Sequence, residues 1–180
     1  MLTVIVSIAT QTLKRSDDPE AARDAFLDRL HGMVRSYELV SRDQWSDVAL
    51  VDLVRQEVEP YIGRGDGLVV DGPAVALKPK FALSLGMVLH ELGTNAVKYG
   101  SLSTAGGSLE VTWAIEKRSA NSLVLDWIER GGPPVGNAPR HGFGLTLIER
   151  EVSHGLGGKA RIEFEQSGLK VNLRVPLDWE

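Results

Sequence analysis

The 180-residue chain contains no cysteine. That excludes disulfides, thiolate metal sites and cysteine nucleophiles, and it fits a reducing compartment, so a cytoplasmic location is expected. Excess basic charge is missing too. Twenty Lys and Arg against 24 Asp and Glu leave a formal charge of −4, and no basic stripe supports nucleic-acid binding. No apolar run approaches the ~18 residues of a membrane span. The opening stretch MLTVIVSIATQTLKR has neither the positive lead-in nor the cleavage motif of a leader, so no membrane contact by this chain is expected. Two chemical motifs are left incomplete. His90 and Glu91 begin a zinc-type His-Glu-x-x-His helix, but Thr94 stands where the second imidazole belongs. Gly142 and Gly144 lack the third glycine of a dinucleotide fingerprint, and the chain has no Gly-Lys-Ser/Thr phosphate loop.

What is present has the composition of a globular protein, 43% hydrophobic and 24% charged. Its first third reads as helical. Leu2, Ile5, Ala9 and Thr12 recur at helical spacing until RSDD interrupts them. Asp18 and Pro19 then open a second helix whose Phe26, Leu30, Met33, Tyr37 and Val40 form a bundle-type seam. An antiparallel pair over residues 1–14 and 19–40 is expected, with a further helix partner, such as a second copy, to cover the seam. The first helix is apolar from Leu2 with no capping residue, as though entered partway along. A third helix is expected over roughly 48–59, ending near Pro60.

Beyond about residue 66 short strand candidates appear, GLVV and AVAL, and then a long helix over 80–99 closed by Gly100 as a C-terminal glycine. Leu109, Val111, Trp113 and Ile115 alternate with polar or small residues, as do Ile162 and Phe164, and Leu169, Val171, Leu173, Val175 and Leu177. Such alternation describes a sheet packed on one face and wet on the other. The helices must then share the packed face. The expected fold class is α+β: a helical hairpin over 1–45, then a two-layer α/β sandwich over 46–180.

Three constellations carry chemistry. On the long helix, Leu85, Val88, Leu89, Leu92 and Ala96 form the core face, while Glu91, Asn95 and Lys98 form a separate stripe. Such a row on a mostly buried helix is costly unless something polar lies beside it. The amide oxygen suits magnesium and the ammonium suits phosphate, against the plainer reading of an exposed stripe with a Glu–Lys pair. In SLVLDWIERGGPP, Leu123, Leu125, Trp127 and Glu129 share one strand face, so Glu129 reaches the mouth of the core as the chain enters Gly131 and Gly132. A purine amino group is a donor of the kind that carboxylate wants, unless it simply turns to solvent. In RHGFGLTLIER, Gly142 and Gly144 feed a helix with the apolar stripe Leu145, Ile148 and Val152. Glycines at a helix N-terminus make an anion site, though alone the pattern is weak. The Gly/Pro-rich segment RGGPPVGNAPRHG between the last two reads as a lid-type loop.

HELGTNAVKYGSLS, WIERGGPPV and HGFGLTLIER together resemble the HWE family of sensor histidine kinases. The family is named for a histidine and a Trp-x-Glu, here His90, Trp127 and Glu129. IVSIATQTL and RLHGMVRSYELVSRDQW look like its two dimerisation helices, so the resemblance covers essentially the whole chain. It implies the Bergerat fold, shared with chaperones, gyrases and mismatch-repair ATPases, with ATP and Mg²⁺ as cofactors. By position it implies that Asn95 binds the magnesium and Glu91 orients magnesium-bound water. Lys98 would contact phosphate, Glu129 the adenine amino group, Gly131 the base, and Gly142 and Gly144 the phosphates. Tyr99, Gly132, Arg140 and Leu145 complete the implied nucleotide set, and His90 is expected to pack rather than react.

The implied activity is transfer of the ATP γ-phosphoryl to a histidine and then to a response-regulator aspartate, by a homodimer formed through helices 1–14 and 19–40. The family's acceptor motif, His-Arg-x-Lys-Asn, would precede Leu2. His31, His141 and His154 lack that context, so the chain as given is expected to bind nucleotide without autophosphorylating. The alternative is a non-catalytic nucleotide-binding or docking module of the same fold.

Overall fold

The structure, a computed structural model, describes residues 9, 19, 20, 22–24, 26, 27, 30–32, 34, 46–63, 67–117, 121–134 and 143–177. The described residues before position 35 are helical. The seam positions Met33, Tyr37 and Val40 lie outside the described set, as does most of the expected pair over 1–14 and 19–40.

Strand β1 (Val48–Ala49) leads into helix α1 (Leu50–Val58). Leu50, Leu53, Val54, Glu57 and Val58 are buried, a helical stripe with one carboxylate in it. No side chain caps the helix start; instead the Leu50 amide donates to the Val75 carbonyl at 2.9 Å, which satisfies an orphan donor. The Glu59–Tyr61 turn, with Pro60 inside it, ends the helix as anticipated. Strands β2 (Gly67–Asp71) and β3 (Ala76–Leu77) follow, and β3 pairs antiparallel with β1.

Helix α2 (Pro79–Tyr99) is the long helix. Proline occupies its first turn, where a missing N–H costs nothing. It stops at Gly100, but that glycine is extended, at φ −110° and ψ −152°, rather than left-handed. Its role is spatial, as the site geometry shows.

Strands β4 (Ser108–Lys117), β5 (Asn121–Arg130), β6 (Lys159–Glu165) and β7 (Gly168–Pro176) complete a five-stranded sheet in the order β2-β4-β5-β7-β6. Among the described residues only the β2–β4 pair of this sheet is parallel. Between β5 and β6 runs helix α3 (Phe143–Arg150), continued by a wider π-helical turn over Glu151–Gly155.

The alternation seen in the sequence is the alternation of faces. Leu109, Val111, Trp113, Leu123, Leu125, Trp127, Val171, Leu173 and Val175 are buried against α1, α2 and α3 in one core. The opposite face carries Arg174 paired in bidentate fashion to Glu116 (2.7 and 2.9 Å), and Asn172 donating to Asp126 at 2.8 Å. Partly exposed pairs of this kind contribute little to stability. The core carries the stability. Leu125→Ala, on the central strand and fully buried, is expected to cost about 2–5 kcal/mol in urea denaturation. Val69→Ala, half exposed on the edge strand, is expected to stay within about 0.5 kcal/mol.

Candidate functional site

The period-two face of β5 carries Glu129 inward, and the strand ends before it can turn out. The residue is 2% exposed, so the solvent-facing alternative does not hold. Its Oε1 accepts from the Trp127 indole N–H at 2.9 Å, and its Oε2 accepts from the Ser101 amide at 2.9 Å. Residues two apart on a strand share a face, which is why the Trp-x-Glu spacing brings indole and carboxylate together. Burial nevertheless dominates and pushes the Glu129 carboxyl above its ordinary value of 4.5; the indole and the Ser101 amide only partly oppose it. The buried Ser101 hydroxyl faces the same carboxyl and, like the Ser101 amide, acts to lower its pKa.

Gly100 packs directly against this carboxylate. A Cβ at position 100 would collide with Glu129 Oε2 and lie 2.9 Å from the Ala96 Cα. The same crowding holds at Gly132, whose Cβ would lie 2.8 Å from the Gly100 carbonyl carbon and from the Ser101 nitrogen. Gly131 has a φ of 77°, a region that favours glycine, and its carbonyl accepts from the Thr104 hydroxyl at 2.7 Å. The end of β5 is thus laid backbone-to-backbone on the loop that follows α2.

One and two turns back along α2 are Asn95 and Glu91. Glu91 is buried, Asn95 half-buried, and Lys98 and Tyr99 exposed, so the polar stripe climbs out of the interior toward solvent. The first turn of α3 lies across it. A Cβ on Gly144 would sit 3.0 Å from Glu91 Oε2 and 3.1 Å from the Asn95 side-chain nitrogen. Leu145 is buried just beyond. One helix therefore carries the Glu91–Asn95 pair against Gly144 and, at its end, the Gly100–Ser101 backbone against Glu129.

Arg140, His141 and Gly142 lie outside the described residues. His31 is exposed, and His154 is held at the surface by Ser153, whose hydroxyl lies 2.8 Å from its Nδ1. His90 is buried, away from Glu91, with Nδ1 3.2 Å from the Tyr61 hydroxyl and 3.4 Å from Glu57 Oε2. Sequence reasoning passed over Ser101, Thr104, Tyr61 and Glu57. A backbone amide such as that of Ser101 leaves no mark in a sequence, but a glutamate in the apolar stripe of α1 was a readable signal.

The carboxylate acceptor of Glu129 lies at the end of α2, and the Asn95 amide, the Glu91 carboxylate and the Gly144 backbone lie farther back along it. Among the described residues no group of three or more His, Cys, Asp and Glu could hold a metal ion. Magnesium keeps much of its shell from phosphate and water, and the Glu91 carboxylate and the Asn95 amide oxygen, packed against Gly144, are donors of the kind it takes. No described helix is long and apolar enough to cross a membrane.

Residues 1–74 match the model of the HWE histidine kinase family. A blue-light-activated histidine kinase of Brucella anthropi is 30% identical over 178 residues, which are 98% of this chain and 36% of that protein. The chain thus spans about a third of the length of the curated relatives it matches. The histidine kinase domain of the Erythrobacter litoralis EL346 blue-light activated histidine kinase superposes with a TM-score of 0.68 at 15% identity, over 97% of this chain and 94% of that one. Histidine kinase ThkA, solved in complex with response regulator protein TrrA, gives 0.53 at 17% identity, over 97% and 57%. The last two likenesses establish the fold, the Bergerat sandwich of histidine-kinase catalytic domains. The resemblance read from the sequence motifs is borne out.

Glu129 makes the site pH-sensitive in a definite direction. Its native pKa is raised, so between the ordinary glutamate value and the native one the folded chain holds a proton that the unfolded chain has released. Stability therefore falls as pH rises through that window. Urea midpoints measured across it are expected to flatten in Glu129→Gln. Gly100→Ala is expected to destabilise the chain by pushing against that carboxylate, an effect visible as a lower thermal midpoint.

Proposed function

We propose that this chain, a relative of the HWE histidine kinases, is the Mg-ATP-binding core of a two-component sensor kinase. The observation that carries the reading is the packing of Gly144 against Glu91 and Asn95, on the helix whose far end meets Glu129. Asn95 supplies an amide oxygen to magnesium, and Glu91 orients magnesium-bound water. Lys98, exposed one turn on, meets phosphate. Glu129, held by Trp127 and Ser101, receives the adenine amino group while Gly131 and Gly132 lie along the base. Tyr99, Arg140, Gly142, Gly144 and Leu145 complete the nucleotide contacts. Bound magnesium neutralises charge on the triphosphate, and the chain's own part is positioning, the usual division in phosphoryl transfer.

In this reading the phosphoryl group passes to a histidine and then to the aspartate of a response-regulator receiver domain. That ThkA was solved with its response regulator supports the kind of partner. The segments 1–14 and 19–40 form the homodimer contact, residues 1–45 are the dimerisation unit and 46–180 the nucleotide domain, in the cytoplasm. The 180 residues contain no His-Arg-x-Lys-Asn, so by themselves they bind nucleotide without gaining phosphohistidine.

Calorimetry with Mg-ATP tests this. Saturable heat is expected for the native chain. Asn95→Ala is expected to weaken binding by roughly tenfold or more, the scale of a lost bond to a charged group, and to lose little when magnesium is chelated. Glu129→Ala is expected to weaken binding with or without the metal. No heat from the native chain overturns the reading, as does acid-labile phosphate on it for the second half.

A further inference from the structure

The nucleotide reading leaves a buried polar cluster without a task. Glu57 and His90 form a pair with side chains 0% and 5% exposed, 3.4 Å apart, and the Tyr61 hydroxyl lies 3.2 Å from the same imidazole nitrogen. Burying a carboxylate is expensive even when it is paired, and an apolar pair of the same shape often packs as well. The three groups are brought together by close helix approach. A Cβ on Gly93 would lie 3.0 Å from the Tyr61 ring and 3.3 Å from the Glu57 carbonyl. One edge of the imidazole is thereby fixed by α1 and the turn after it.

The other edge faces the N-terminal helical segment. Gly32, helical and buried, presents its bare Cα to the ring. A Cβ there would overlap the Cδ2 of His90 and lie 2.6 Å from Cγ and 2.8 Å from Nε2. His90 is thus touched on one side by the segment before residue 35 and on the other by α1. The next residue along α2 is Glu91, which faces Gly144.

We propose that His90 is a positioning residue: it is the seat on which the N-terminal helical segment docks, and through α2 it sets the placement of Glu91 and Asn95. Glu57 and Tyr61 hold the ring at one angle, so Gly32 meets a fixed surface rather than a mobile side chain. A shift of the segment at Gly32 moves the ring, and the ring is part of the helix turn that carries Glu91. The docking half of this proposal stands on geometry alone; the coupling half rests on the reading of Glu91, Asn95 and Gly144 as the Mg-nucleotide contact.

The absence of cysteine allows a clean distance measurement on the full chain, with spin labels on Asp24→Cys and Asp52→Cys, both exposed positions. Gly32→Ala favours a helix by about 1 kcal/mol, so any loss it causes is steric rather than helical. It is expected to broaden and lengthen the narrow label distance of the parent. In the His90→Ala background, where the ring is gone, the same change is expected to add no further broadening. Gly32→Ala is also expected to weaken Mg-ADP binding several-fold while leaving ADP binding in chelator unchanged, whereas a merely loosened fold weakens both.

An unchanged label distance in Gly32→Ala overturns the docking. A broadened distance with native Mg-ADP affinity overturns the coupling alone. Failure of the parent itself to bind Mg-ADP overturns the nucleotide reading and the coupling with it, and leaves the docking decided by the distances.

Discussion

A carboxylate buried at the end of the central strand can persist only if donors reach it, and the Glu129 clasp is built to supply them. One donor comes from the same strand face, the indole of Trp127, and one from the backbone just past α2, the amide of Ser101. The second bond requires the helix end to approach the sheet closely enough that no side chain fits at position 100. The glycine, the helix length and the strand register are therefore one requirement seen from three sides. Where α2 stops and where β5 stops are set by the same contact.

The rest of α2 answers to a second demand. Its sheet-facing side is apolar without interruption, from Leu85 through Ala96, as the core needs. Its remaining surface is divided among neighbours with different chemistry. Gly144 of α3 meets Glu91 and Asn95, while Tyr61 and Glu57 meet His90 and Gly93. Adjacent residues 90 and 91 thus report to opposite neighbours, about 100° apart around the helix. One helix thus meets both sets of neighbours, and packed interiors transmit strain.

The layers of this fold could be read before any coordinates, because one-sided burial writes itself into a strand with period two. Glu129 on the packed face and Glu91 beside Asn95 were legible for the same reason, since each breaks an apolar pattern at a definite phase. The Bergerat fold was implied by the family resemblance that the three motifs carry. Contacts made by backbone were not legible. Nothing in the letters distinguishes the Ser101 amide from any other, or a glycine kept for room at Gly100 from one kept for a left-handed turn. The Glu57–His90 pair was half legible, as a glutamate out of place in the stripe of α1. The histidine alone gave no hint of its partner, because pairing across elements depends on how α1 crosses α2.

The single parallel pairing in the sheet has a kinetic side. Strands β4 and β5 are neighbours in sequence and pair antiparallel, but β2 reaches β4 only after the whole of α2 has been folded back between them. Closing so long a loop is entropically slow compared with a hairpin. The Ser101 amide belongs to the connection that must settle before β2 can align. Until it does, the inner end of β5 carries a glutamate with only the indole to satisfy it, and water has to remain there. Drying of that corner, and with it any competence to hold a ligand, belongs among the last events of folding.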